Sequence, residues 1–208
     1  TASRGIDLSK ANRAGWGFLQ GTLEESEMVS QKLDGTGIRS LLLTDVSANE
    51  ESFKSMDGNS PSIIHIATHG FFLSEEKDRE TKDFIQAANL RVSDYQSSMN
   101  YSGLLFAGGN RAWTGVGVIE GIEDGILIAN EISNMDLSNT DIAVLSACET
   151  GLGSDMSSEG VFGLQRAFKL AGVQTLIMSL WKVPDEATSK LMQVFYDNWL
   201  SGMEKHQA

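Results

Sequence analysis

The sequence predicts an α/β protein with a mainly parallel central sheet flanked by helices, and three observations point there. Short apolar runs alternate with amphipathic stretches, the order that strands and helices take in βαβ units. Two of the runs, Ile63-Ile64-His65-Ile66-Ala67-Thr68-His69-Gly70 and Val144-Leu145-Ser146-Ala147-Cys148-Glu149-Thr150-Gly151, each end in a reactive side chain and a glycine-bearing turn. Parallel sheets collect their chemistry beyond the carboxyl ends of their strands. Here those ends carry a histidine and the one cysteine among 208 residues.

The elements follow in order. Residues 1–15 are polar and irregular. Thr22-Leu23-Glu24-Glu25 has the capping-box spacing and opens a helix to about Leu33, ended by Asp34-Gly35-Thr36-Gly37. Ile38 to Thr44, with Leu41-Leu42-Leu43 at its centre, reads as a strand, Glu50 to Met56 as a helix and Ile63 to Thr68 as a second strand. That order implies a right-handed parallel crossover. Eight of the nine residues from Glu75 to Asp83 are charged, so the stretch Leu73 to Ser102 reads as a solvated loop or an exposed helix. Its place after His69 also fits a lid or self-cleavage loop offering Lys77, Arg79 or Lys82; an inert loop is the simpler reading.

Leu104 to Ala107 reads as strand, Gly108-Gly109-Asn110 as a turn, and Gly115 to Gly125 as a glycine-rich loop. Its spacing meets neither the dinucleotide nor the P-loop pattern. Ile128 to Met135 reads as helix and Ile142 to Ala147 as the strand leading to Cys148. Val161, Leu164, Phe168 and Ala171 keep helical intervals until Gly172 stops them. Val173 to Leu180 reads as a further buried strand, and Pro184 opens a last helix carrying Leu191, Phe195 and Trp199. No repeat or linker divides the chain, so one domain is expected.

Composition narrows the function classes. A net charge of −12, from 28 acidic against 16 basic residues, counts against a nucleic-acid partner. It favours basic proteins or peptides, although an acidic surface that only maintains solubility accounts for it equally. No apolar run is long enough to cross a bilayer, no secretory signal opens the chain, and one cysteine makes no internal disulfide. A soluble protein of the cytoplasm is expected. The absence of a starting methionine points to a piece of something larger.

A free thiol with a pKa of about 8.5 is only a few per cent thiolate at neutral pH, so a working Cys148 needs a base, and His69 is the candidate. Gly70 has no side chain, so its N–H can approach a substrate carbonyl and form an oxyanion hole with the N–H of Cys148. Taken singly, a lone cysteine is more often a small buried hydrophobe, and a strand-end histidine is often satisfied by backbone. His65, inside its strand, reads as a core residue. Paired with His69 it makes no metal site, because a third ligand is missing.

Six strings decide between those readings. They are His65 to Phe72, Ser102 to Asn110, Asp124-Gly125-Ile126-Leu127, Leu145 to Gly153, Glu159 to Phe168 and Ser179 to Thr188. Together, over about residues 20–203, the chain resembles the CHAT family of caspase-like and separase-like cysteine peptidase domains. The resemblance implies a caspase-like three-layer sandwich. It implies a catalytic dyad of His69 and Cys148, with Gly70 and Cys148 as oxyanion-hole donors and with no cofactor or metal. It also implies an endopeptidase acting on protein or peptide substrates, controlled by a tetratricopeptide-repeat or sensor domain. A catalytically silent interaction module of the same fold is the alternative. Asp185, in a Trp-x-Val-x-Asp context, matches the acid that receives a basic substrate residue. It equally fits an acid complementing the dipole of a helix's first turn. Ser179 to Lys182, with Trp181, matches a strand on which an extended substrate pairs.

Overall fold

The computed structural model describes residues 15–72, 97–100, 102–117, 119–147, 158–179 and 185–208. In chain order the elements are α1 (Gln20–Gly35), a 3-10 turn (Asp45–Ser47), α2 (Glu50–Lys54), β1 (Ile63–Ala67), β2 (Gly70–Phe72), α3 (Ser97–Asn100) and β3 (Ser102–Leu105). They continue with α4 (Gly109–Trp113), β4 (Ile126–Ile128), α5 (Ala129–Ile132), β5 (Ile142–Ser146), α6 (Ser158–Leu170), β6 (Thr175–Met178) and α7 (Asp185–Leu200). Strands β1, β5 and β6 form a parallel sheet in the order β1-β5-β6, and β2, β3 and β4 form an antiparallel one.

The parallel sheet is the middle of three layers. All five residues of its central strand β5 are buried, which explains why the run Ile142 to Ser146 is apolar on both faces. Alternation sends Ile142 and Val144 to the face covered by α1 and α7, against Val29, Leu33, Met192, Phe195 and Tyr196. Ala143 and Leu145, with Ile64 and Ile66 of β1, face α2, α5 and α6 through Phe53, Ile132, Leu164 and Phe168. Each large side chain buried this way contributes about 1.5–3 kcal/mol. A smaller core under the antiparallel sheet joins Phe71, Leu105, Ala112, Trp113, Ile126 and Ile128. Among the described residues no helix is long and apolar enough to cross a membrane.

Several elements depart from the sequence reading. Helix α1 begins at Gln20 with Leu19 as its N-cap, so Thr22 is no cap: it lies in the first turn, donating from Oγ1 to the Leu19 carbonyl at 2.7 Å. Ile38 to Thr44 joins no ladder. Its Ser40 gives both N–H and hydroxyl to Asp34 Oδ1 (2.9 and 3.1 Å), tying the segment back to the end of α1 and leaving Leu41 83% exposed. An apolar run becomes a strand only when a neighbour takes its backbone donors. Ile126 to Ile128, of which the sequence reading assigns only Ile128, to a helix, is strand β4. Strand β6, expected to be buried, is half-buried, and among the described residues it lies at an edge of the sheet.

In the last helix, of the three residues expected to face the core, Phe195 is buried and Trp199 packs against the core, while Leu191 departs. Leu191 is 61% exposed, while Thr188, Met192, Phe195 and Tyr196 are buried. A fourfold spacing overshoots each full turn by about 40°, so a long row of fourfold positions leaves the buried face.

Candidate functional site

Strands β1 and β5 bring the two reactive strand ends together. Their register pairs Ala67 with Ser146, and one residue further the N–H of Thr68 donates to the Ser146 carbonyl at 3.3 Å. Beyond that, Gly70 lies against Ala147: a Cβ at residue 70 would stand 3.4 Å from the Ala147 Cβ. The His69-Gly70 backbone therefore runs beside the residue that precedes Cys148. Strand β6 pairs with β5 through Leu145 and Met178, so Ser179, half-buried, follows at the same end of the sheet.

His69 sits in the two-residue step between the parallel sheet and the antiparallel one. Its carbonyl accepts the Leu105 N–H at 2.9 Å, and its side chain is nearly buried. The ring's Nε2 is 2.7 Å from the carbonyl oxygen of Gly17. A carbonyl only accepts, so Nε2 carries a proton and, in the neutral ring, Nδ1 is the acceptor. The Trp16 indole packs on the imidazole at 4.9 Å between centroids, tilted 43°, and on Trp113 at 5.0 Å.

Beneath the strand ends lies a buried polar network. Glu25 of α1 accepts from His65 Nε2 (2.8 Å) on one oxygen and from Ser146 Oγ (3.0 Å) on the other. His65 Nδ1 is 3.1 Å from the Tyr196 hydroxyl of α7. Burial, reinforced by the Glu25 charge, holds that phenol well above its ordinary range and so keeps it neutral. His65 is thus the satisfied core histidine that its place in the strand implies. Ser146, at the last position of β5, is held two residues before Cys148.

Glu50 of α2 is 1% exposed and its Oε2 accepts the Gly125 N–H at 2.9 Å. Burial pushes its carboxyl up to about 7 against the opposing pull of Lys54, whose ammonium also meets Glu123 and Glu131 at 3.1 Å. Burial raises the neighbouring Asp124 as well, against the Ile126 N–H that donates to it.

The family model for the CHAT domain matches residues 3–208. The chain belongs to the CHAT domain family. CHAT domains are related to caspase-like cysteine peptidases, and the helix-covered parallel sheet of this chain is the caspase-like architecture. The chain is similar to "Tetratricopeptide repeat protein 28" of Homo sapiens, 30% identical over 87 residues, which is 42% of this chain and 3% of that protein. It is 32% identical over 79 residues to the Mus musculus protein of the same description, 38% of this chain and again 3% of the relative. The matched part is thus a small fraction of both relatives. No solved structure matches the chain at a significant level.

Of the residues that the CHAT resemblance singles out, the structure places His69, Gly70 and Ser179 at one end of the parallel sheet. Cys148 and Trp181 lie outside the described residues, as do Lys77, Arg79 and Lys82. Asp185 is the first residue of α7, and its side chain is outside what is described. The sequence reading missed the Gly17 carbonyl and Trp16. Every residue carries a carbonyl, so no side-chain signature marks one that binds a histidine. A tryptophan next to a polar, irregular stretch was the one available hint.

Proposed function

We propose that this CHAT domain is a cysteine endopeptidase acting on protein or peptide substrates through Cys148 and His69. The observation that supports this most is the register of β1 against β5, which runs His69-Gly70 beside Ala147. In this reading the Cys148 thiol gives its proton to His69 Nδ1, the acceptor nitrogen while Nε2–H is engaged by Gly17. The thiolate adds to the scissile carbonyl carbon, and the N–H groups of Gly70 and Cys148 receive the charge developing on its oxygen. As the C–N bond breaks, His69 returns the proton to the leaving amine, and a thioester remains. Water then attacks the thioester with His69 as base, releasing the carboxylic acid and the thiol. No cofactor or metal enters this scheme.

The finer parts of the proposal concern specificity and control. Asp185 receives a basic residue before the cleaved bond, a carboxylate being the natural partner of Arg or Lys. Ser179 and Trp181 pair with the extended substrate beside β6. Residues 1–208 act as a single domain of a longer cytoplasmic chain. A tetratricopeptide-repeat region, in the same or a partner chain, regulates it; the relatives' printed descriptions support that choice.

The test is digestion of a proteome-derived peptide library by wild type and Cys148→Ala, with new termini read by mass spectrometry. Cleavage after Arg or Lys is expected from wild type alone, and Asp185→Ala is expected to erase the basic preference. Identical products from both proteins would sink the peptidase. Slow alkylation of the single thiol, together with no Cys148-dependent cleavage, would leave the catalytically silent interaction module as the reading.

A further inference from the structure

We infer that Asn110 is a positioning residue for His69, acting through the backbone of Trp16 and Gly17; its catalytic meaning rests on the peptidase reading above. The side-chain amide of Asn110 engages both polar groups of Trp16. The Trp16 N–H donates to Oδ1 at 2.7 Å, and Nδ2 donates to the Trp16 carbonyl at 2.9 Å. A donor and an acceptor side by side on so short a side chain are what an asparagine amide supplies; aspartate offers two acceptors, serine and threonine a single oxygen. Residues 15–19 belong to no helix or strand, so this clamp does for them what a ladder does for a strand.

Two groups that bear on the His69 ring belong to the clamped segment. Trp16, whose backbone Asn110 grips, packs its indole on the imidazole. Gly17, the next residue, supplies the carbonyl that holds Nε2–H. Asn110 is itself firmly seated. A Cβ on its neighbour Gly109 would lie 2.6 Å from the Gly125 carbonyl, and one on Gly125 would lie 2.4 Å from the Gly109 nitrogen. The two backbones touch, and Glu50 fixes Gly125 from behind. The Asn110 side chain is exposed, so it fills no core: its amide acts as a fastener. Loosening it frees the Gly17 carbonyl, and the imidazole loses a bond that favours the Nε2–H tautomer and helps fix the ring's orientation.

The test labels the three histidines with 15N and reads the ring-nitrogen shifts that distinguish tautomers, with His69→Ala assigning the signals. Wild type is expected to hold His69 as the Nε2–H tautomer. Asn110→Ala is expected to mix the tautomers and lower kcat about 10- to 100-fold with little change in KM. Asn110→Asp retains only the acceptor for the Trp16 N–H, should fall between, and carries the same readouts if the alanine variant does not fold. An unchanged tautomer in a folded Asn110→Ala would overturn the inference and leave the peptidase reading standing. A mixed tautomer with unchanged kcat would keep the positioning of His69 and overturn its catalytic meaning. A mixed tautomer in a chain that wild-type assays find cleaves nothing would keep the positioning of His69 and overturn the peptidase reading instead.

Discussion

Glu25 satisfies two buried donors at once, His65 Nε2 and Ser146 Oγ, and is itself only 2% exposed. Removing it strands both. Glu25→Ala is expected to cost about 3 kcal/mol, read from the urea midpoint, whereas Ser146→Ala, which leaves Glu25 its histidine, is expected to cost about 1 kcal/mol. Equal losses would mean that the network does not share one acceptor. At this scale the sequence was legible where a side chain's chemistry is unusual for its place. His65 inside a strand, and His69 and Gly70 at a strand end, were readable for that reason. Partners were not. Glu25 looked like an ordinary helix acid, because nothing in a helical period says which of its acids meets a buried histidine from another element.

The antiparallel strands β2, β3 and β4 stack so closely that Gly103 admits no side chain. A Cβ there would lie 2.5 Å from the Leu127 carbonyl and 2.6 Å from the Phe71 ring. Gly103→Ala is expected to cost about 1–3 kcal/mol in denaturant unfolding, by pushing β3 off one neighbour. Helix α7 offers a sharper contrast. Phe195→Ala is expected to cost about 3–5 kcal/mol, whereas Leu191→Ala, four residues earlier and largely exposed, is expected to stay within about 0.5 kcal/mol of wild type. A reversed order in thermal melts would overturn the observed helix face. Elements were legible when period and end signals agreed, as for α6 and β5. They were misread when an apolar run stood alone. Ile38 to Thr44 has a strand's composition, but Asp34 takes the backbone donor of Ser40. The short strand β4 was hidden because three apolar residues after a glycine-rich loop carry no period.

For the whole molecule, the α/β class with its mainly parallel sheet followed from the alternation of apolar runs and amphipathic stretches, and the three layers from the family resemblance, while the second sheet followed from neither, since pairing between distant short strands leaves no local trace. Its support has a signature in the stability of the chain against pH. Burial raises the Glu50 carboxyl from 4.5 to about 7, so between those values the folded state holds a proton that the unfolded state has lost. Stability from this group is full below about pH 4.5 and is lost as the pH rises towards 7. The slope for one proton reaches about 1.4 kcal/mol per pH unit. Glu50→Gln, which retains an acceptor for the Gly125 N–H, is expected to remove that slope in unfolding curves taken across the interval. Parallel profiles for the two proteins would mean that Lys54 keeps the folded carboxylate charged throughout.

Only Thr68 and His69 separate β1 from β2, although those strands belong to different sheets. A span of two residues has no slack, so the distance from Ala67 to Gly70 works as a ruler. An inserted residue there would swing the histidine to the opposite side of the chain or unpair the strand that follows. In the evolution of such chains, length can therefore drift in the surface loops but is frozen at this joint, and the arithmetic of insertions and deletions alone would betray where the histidine sits.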